Sequence, residues 1–116
     1  MLPKTVWMLW LPGWEDTPPL LRACRASWLQ HNSNWDFHFL TEKTLREFAD
    51  CELLENLMRG GGPRETISDI ARLELLLRHG GIWADATTYC LRPLDDWIGW
   101  QQARGFSRLT DLALIV

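Results

Sequence analysis

The sequence predicts an α/β domain built on a parallel sheet, and three observations carry this. A short apolar run at Thr5–Trp10 and an alternating run at Trp35–Leu40 enclose a segment with apolar residues at helical spacing. A second, longer helical pattern follows from Thr66. It stops at Gly80 and Gly81, directly before a third apolar stub, Ile82–Ala84. Strand, helix and strand with short joins make a βαβ unit, which implies parallel pairing with a right-handed crossover.

Each element has its own local signals. Thr5–Trp10 is closed by Pro12 and Gly13 and fits a buried first strand, with Trp7 and Trp10 on opposite faces because a strand alternates with period two. Beyond the loop Gly13–Asp16, Thr17 is expected to cap a helix that has Pro18 at its first position. Leu20, Leu21, Cys24 and Trp28 form its apolar stripe, which ends near His31 and Asn32. Thr41–Met58 reads as one or two short helices with Leu45, Phe48, Leu53, Leu54, Leu57 and Met58 facing inward.

Gly60, Gly61, Gly62 and Pro63 mark a surface loop. No Gly-x-x-x-x-Gly-Lys-Ser/Thr pattern follows and no strand leads directly in, so it is not a phosphate-cradling turn of that type. From Thr66 the helical pattern resumes, with Ile70, Leu73, Leu76 and Leu77 inward and the Gly80–Gly81 pair as its cap. Past Pro93, Asp95 and Asp96 fit the opening of a short helix, where acids are favoured.

In open α/β sheets ligands gather outside the carboxyl ends of the strands, and Asp85 stands at such an end. A carboxylate followed by Ala86, Thr87 and Thr88 suits a divalent cation shared with a phosphate, to which the protein gives one or two oxygens. It equally suits an Asp that accepts bonds within a turn. Asp69 and Arg72, three apart, are neighbours on one helix face. They read either as a capping box with Thr66 plus a local ion pair, or as a pair that grips a ligand's hydroxyls and phosphate. Spacing alone does not choose.

Composition narrows the classes. At 116 residues, 47% hydrophobic and 23% charged, the chain is long enough to bury one core, and 1–116 is read as a single domain or the N-terminal part of one. A net charge of −3 argues against a nucleic-acid partner. Cys24, Cys51 and Cys90 make neither a disulfide framework nor a zinc pattern and read as small buried hydrophobes. The histidines, His31, His38 and His79, read as structural or surface residues. Among eight tryptophans, Trp28 and Trp83 fit the core, while Trp14 and Trp100 are the candidates for stacking on a sugar. The N-terminal stretch does not read as a secretory signal. The apolar run at the end of the sequence suggests an incomplete C-terminus.

In order, Ser68-Asp69-x-x-Arg72, an apolar helix, Gly80-Gly81-Ile82-Trp83, Asp85-Ala86-Thr87 and Pro93-Leu94-Asp95 resemble the central block of glycosyltransferases with a sugar-binding DxD motif. The closest likeness is to bacterial capsular polysaccharide synthesis proteins. LPKTVWMLW and WDFHFL are similar to that family's first two strands, so the resemblance covers nearly the whole chain.

The resemblance implies a GT-A-like, Rossmann-like fold that holds a nucleotide-sugar donor at the strand ends and passes its sugar to a polysaccharide or lipopolysaccharide acceptor. It places Trp7 near the nucleotide base, although a core position fits Trp7 as well. Asp69 and Arg72 match residues that contact the donor sugar and its phosphate. Asp85 matches the first DxD acid, the metal ligand, with Mn²⁺ or Mg²⁺ as cofactor. Thr87 stands where many relatives have a second carboxylate, which puts the strength of metal binding in doubt. The resemblance further implies a cytoplasmic location and is compatible with peripheral association at the inner face of the membrane. Three other readings compete: a phosphohydrolase, disfavoured because Asp85-Ala86-Thr87 lacks a second acid; a non-catalytic carbohydrate-binding module; and a degenerate transferase fragment.

Overall fold

The computed structural model describes residues 3–96, 98 and 113–115. Its order is β1 (Thr5–Leu9), α1 (Pro19–His31), β2 (Asp36–Leu40), α2 (Glu42–Phe48), α3 (Glu52–Arg59), α4 (Arg64–His79), β3 (Gly81–Trp83), a 3₁₀ turn (Leu94–Asp96) and β4 (Ala113–Ile115). The strands form one four-stranded sheet in the order β2-β1-β3-β4. All pairings are parallel, with Val6 opposite Phe37 on one side and Ile82 on the other. This is the expected mixed α/β architecture, compatible with a Rossmann-like fold.

Strand alternation sorts two cores onto the two faces of the sheet. Trp7, Leu9, Leu40 and Trp83 pack with Leu45 of α2, Leu54 and Met58 of α3, and Ile67, Ala71 and Leu75 of α4. Val6, Met8 and Ile82 face the other way, onto Trp28 of α1, Trp35 and the segment carrying Cys90 and Leu94. Helices on both faces bury β1 from Val6 to Leu9, which is why its interior reads as a continuous apolar run.

Several local readings shift. α1 begins at Pro19, not Pro18, and Thr17 does not cap it: its hydroxyl donates to the Trp14 carbonyl instead. Leu20 is exposed, because the buried stripe is Leu21, Cys24 and Trp28. α4 starts at Arg64, two residues before Thr66, and carries no side-chain cap, so the capping box does not form. With the helix running from there, its inward face is Ile67, Ala71, Leu75 and Leu76, leaving Leu73 and Leu77 on the outer surface. Leu53 is likewise exposed on α3. The short helix after Pro93 forms as expected, in 3₁₀ geometry. Trp100 lies outside the described residues.

The turn from α4 into β3 depends on two glycines. Gly80 ends the helix at φ 71° and Gly81 enters the strand at φ 96°, both in the left-handed region that favours glycine. At Gly81 a Cβ would stand 2.6 Å from the Thr5 carbonyl oxygen, so close pairing of β3 with β1 requires the missing side chain.

Candidate active site

The chain leaves β1 to form β2 on one side, then returns across the sheet to place β3 on the other. A crevice therefore opens beyond the carboxyl ends of β1 and β3, where open α/β sheets take their ligands. A cleft of about 460 Å³ occupies that place. Trp10, Leu11 and Pro12 line it after β1, and Asp85, Ala86 and Thr87 line it after β3. The third wall is the first half of α4, contributing Arg64, Glu65, Ser68, Asp69 and Arg72.

The level of these residues follows from helix and strand rises. Asp85 lies four residues beyond Gly81, about 13 Å along the strand direction. α4 runs back alongside β3 at about 1.5 Å per residue, so nine residues before Gly80 brings the helix level with Asp85. That position is Ala71–Arg72. The pattern of Asp69, Arg72 and Asp85 thus converges although the acids are sixteen positions apart in sequence.

Arg72 donates to Oδ1 of Asp69 at 2.6 Å; the arginine is the more buried partner, with 28% of its side chain exposed against 64% for the acid. An ion pair as exposed as this adds at most about 1 kcal/mol to stability. Asp85 is exposed, and its Oδ1 accepts from the indole Nε1 of Trp83 at 3.0 Å. Thr88 N–H donates to the Asp85 carbonyl at 2.9 Å, closing a turn over Ala86 and Thr87. On the far side of the sheet, Trp28 Nε1 donates to the Thr88 carbonyl at 2.8 Å. Asp85 does open a turn, yet its carboxylate is held by an indole rather than by the turn's own backbone.

Of the expected site residues, the structure brings Asp69, Arg72, Asp85 and Thr87 to one cleft and leaves Trp7 out of it. Trp7 is 2% exposed, its Nε1 bonds the Gly80 carbonyl at 3.0 Å, and its ring stacks on His38 at 4.5 Å. The reason is its parity: it points from β1 into the core beneath α2–α4. Trp10, past the end of the strand, is the tryptophan that reaches the cleft. Trp14 bonds the Leu40 carbonyl through Nε1 at 3.0 Å and lies under the Arg25 guanidinium, 5.3 Å from its ring. Arg64 and Glu65 are cleft residues that the motif reading did not single out. A signal for them exists: Arg64, Ser68 and Arg72 recur every four residues, as do Glu65 and Asp69, so they share one stripe of α4.

As to a metal, Asp85 Oδ2 has no hydrogen-bond partner among the described residues, and none of these form a cluster of three or more acids, histidines or cysteines suited to an ion. This donor set fits a cation shared with a ligand's oxygens; the protein alone does not build a cage.

A family model described as capsular polysaccharide synthesis protein matches residues 1–111 of the chain. The chain belongs to this family. Curated relatives of the chain are named as glycosyltransferases. The chain is 27% identical over 104 residues to O-glycosyltransferase braB of Annulohypoxylon truncatum, covering 80% of this chain and 25% of that protein. It is 28% identical over 104 residues to O-glycosyltransferase PaGT of Phomopsis amygdali, covering 80% and 26%. It is 25% identical over 111 residues to the uncharacterized glycosyltransferase L373 of Acanthamoeba polyphaga mimivirus, covering 85% and 41%. The chain therefore spans between a quarter and about two fifths of the length of these relatives. They are fungal and viral, so the likeness is not confined to bacteria. No solved structure matches the chain.

Proposed function

We propose that this chain is the donor-binding part of a GT-A-like glycosyltransferase that moves a sugar from a nucleoside diphosphate to a polysaccharide or lipopolysaccharide acceptor. One observation carries this reading: Asp69, Arg72 and Asp85 meet in a single cleft at the point where the strand order reverses. Family membership supports the reaction class.

In this reading the Asp69–Arg72 pair meets the donor sugar, the carboxylate accepting from its hydroxyls and the guanidinium donating to oxygens beside the anomeric carbon. Asp85, oriented by Trp83, would hold a Mn²⁺ or Mg²⁺ ion through its second oxygen, with Thr87 as the neighbouring hydroxyl of the same cleft wall. Trp10 offers the flat surface for the nucleoside, the place that the family resemblance alone would give to Trp7. The cleft holds one more carboxylate than arginine, since Glu65, Asp69 and Asp85 face Arg64 and Arg72. A bare diphosphate would therefore meet net repulsion, which favours metal-dependent binding.

The chemistry needs such an environment because negative charge grows on the diphosphate as the glycosidic bond breaks. The cation, when bound, supplies Lewis-acid stabilisation of that charge. Arg72 stabilises it from the helix side, and removing one group of this kind typically costs about 3–4 kcal/mol of transition-state stabilisation. Such a protein would work in the cytoplasm, at the membrane face where its acceptor is assembled.

Thermal unfolding of the chain with a panel of nucleotide sugars, with and without Mn²⁺, tests the reading. Ligand at about a hundred times its dissociation constant adds about 2.7 kcal/mol, a shift of several degrees in a domain of this size. A rise that needs both metal and one donor, and vanishes in Asp85→Asn, supports donor binding. A rise with free glycans alone would favour a carbohydrate-binding module instead.

A further inference from the structure

Among the arginines described in the helices that pack on this face of the sheet, Arg64 stands apart. Arg46 pairs with Glu42 and Glu55, Arg72 with Asp69, Arg78 with Glu74, and Arg59 bonds Asn56. Arg64 has no ion-pair or side-chain hydrogen-bond partner among the described residues, and it is exposed while lining the cleft. Its place in the helix is also unfavourable. A cation in the first turn opposes the helix dipole, at a cost of about 0.3–1 kcal/mol. All three helices place an acid in the first turn and a basic residue in the last, α4 through Glu65 and through Arg78 and His79. Arg64 heads α4 beside Glu65 as a first-turn cation; Lys43 of α2 is another, but Arg64 is the one of the two that lines the cleft.

A local rule broken without a compensating contact within the protein is a mark of a functional position. The chemistry that suits this one is anionic. Arg72 already shares its charge with Asp69, whereas Arg64 enters the cleft without such a partner among the described residues. Asp85 and Glu65 add further negative charge. Among the described residues, the cleft's one arginine without a carboxylate partner is Arg64, and it shares a helix stripe with Ser68 and Arg72.

We propose that Arg64 is a further donor-binding residue, the cation that meets the diphosphate of the nucleotide at the mouth of the cleft. This rests on the reading of the cleft as a nucleotide-sugar site. Arg72, held by Asp69, meets the phosphate next to the sugar, and the two arginines share the diphosphate between them. A guanidinium suits the role because its fork of donors matches phosphate oxygens.

The test is calorimetric titration of the full chain, in Mn²⁺, with the common nucleoside diphosphates and their matching nucleosides, for the parent, Arg64→Gln and Arg64→Lys. The expected result is a loss of about tenfold or more in diphosphate affinity for R64Q, a smaller loss for R64K, and nucleoside binding unchanged in both. Unfolding temperature without ligand should stay level or rise in R64Q, since an unfavourable charge leaves the helix start. Diphosphate affinity in R64Q within twofold of the parent would overturn the role of Arg64 while leaving the cleft's function intact. So would an equal loss of nucleoside binding, which marks a packing defect. A parent chain that binds none of the diphosphates overturns the functional reading itself, and this inference with it.

Discussion

The indole Nε1 of Trp83 donates to Oδ1 of Asp85 at 3.0 Å across two residues of chain. Trp83 is 2% exposed and anchored in the core under α4, so the carboxylate at the cleft is aimed by a side chain that cannot move. Trp28 fastens the same turn from the other face of the sheet, through the Thr88 carbonyl. The site loop is thus pinned from both cores.

This arrangement separates charge from architecture. Asp85→Asn retains an oxygen to accept from Trp83 and should unfold within about 0.5 kcal/mol of the parent, as surface substitutions usually do. Its metal-dependent donor binding should fall by at least tenfold. Asp85→Ala should lose binding as well, and about 1 kcal/mol of stability as the indole loses its partner. Thermal unfolding with and without Mn²⁺ and donor reads both effects. Equal donor binding in D85N and the parent would show the carboxylate to be structural.

Gly81→Ala should be among the most damaging single changes in the chain. The added Cβ meets the Thr5 carbonyl oxygen at 2.6 Å, and the backbone sits at φ 96°. Left-handed strain costs about 1–3 kcal/mol, and forcing β3 away from β1 adds to it. A drop in the unfolding midpoint of more than 10 °C is expected, since about 1 kcal/mol corresponds to 4–8 °C in a domain of this size. Because β3 carries the chain into Asp85, donor binding should weaken in the same variant. Gly13→Ala, where a Cβ meets nothing within 4 Å, should cost only the backbone strain.

How far the sequence disclosed this molecule differs by element. The first and third strands were legible as local apolar runs bounded by Pro12–Gly13 and by Gly80–Gly81, and the second by its alternation of aromatic and polar residues. The start of α4 was not, since Pro63 leads in without a side-chain cap and Arg64 contradicts the helix dipole. Missing that start misplaced the inward face by part of a turn, assigning Leu73 and Leu77 to the core. At the cleft, Asp69, Arg72, Asp85 and Thr87 were singled out through their order along the chain, and the fold brings them to one place. Trp7 was carried toward the cleft by motif position, whereas strand parity sends it into the core. Arg64 escaped notice because no motif contains it; only the four-residue stripe through Ser68 and Arg72 reveals it.

Asn32 should prove a stability determinant that no motif marks. It is 1% exposed at the end of α1, where its Nδ2 donates to the Trp28 carbonyl at 2.9 Å and its Oδ1 accepts from Leu94 N–H at 2.7 Å. Ser27, also buried, accepts from Cys90 N–H at 2.8 Å, so two polar side chains tie α1 to the segment beyond the site loop. Asn32→Leu leaves the Leu94 N–H without a partner and should cost about 1–3 kcal/mol by chemical denaturation. Asn32→Asp retains the acceptor but buries a charge, and should be more damaging at pH 7 than at pH 4. Stability of N32L equal to the parent would mean the segment's backbone is satisfied another way.

Two titrating groups should shape the acid side of the stability profile in different windows. Burial lowers the pKa of His38 below its ordinary 6.5, with nearby His79 acting in the same sense and Asp36 against it. The unfolded chain then binds a proton more readily than the folded one, so stability is fully present above about pH 6.5 and is lost as pH falls through the lower folded value. Asp95 is held below 3.8 chiefly by its hydrogen bond from Asn34, at 2.6 Å, with Lys4 and Trp35 adding to it. Its contribution is present above pH 3.8 and disappears as pH falls through the folded value. His38→Phe, which preserves an aromatic ring against Trp7 and Phe48, should flatten the profile between about pH 7 and 5 and leave the slope below 4 unchanged. Asp95→Asn should do the reverse. Urea unfolding midpoints measured across pH 3–8 for the three proteins separate these windows, and a His38→Phe profile parallel to the parent's from pH 7 to 5 would show that the imidazole titrates alike in both states.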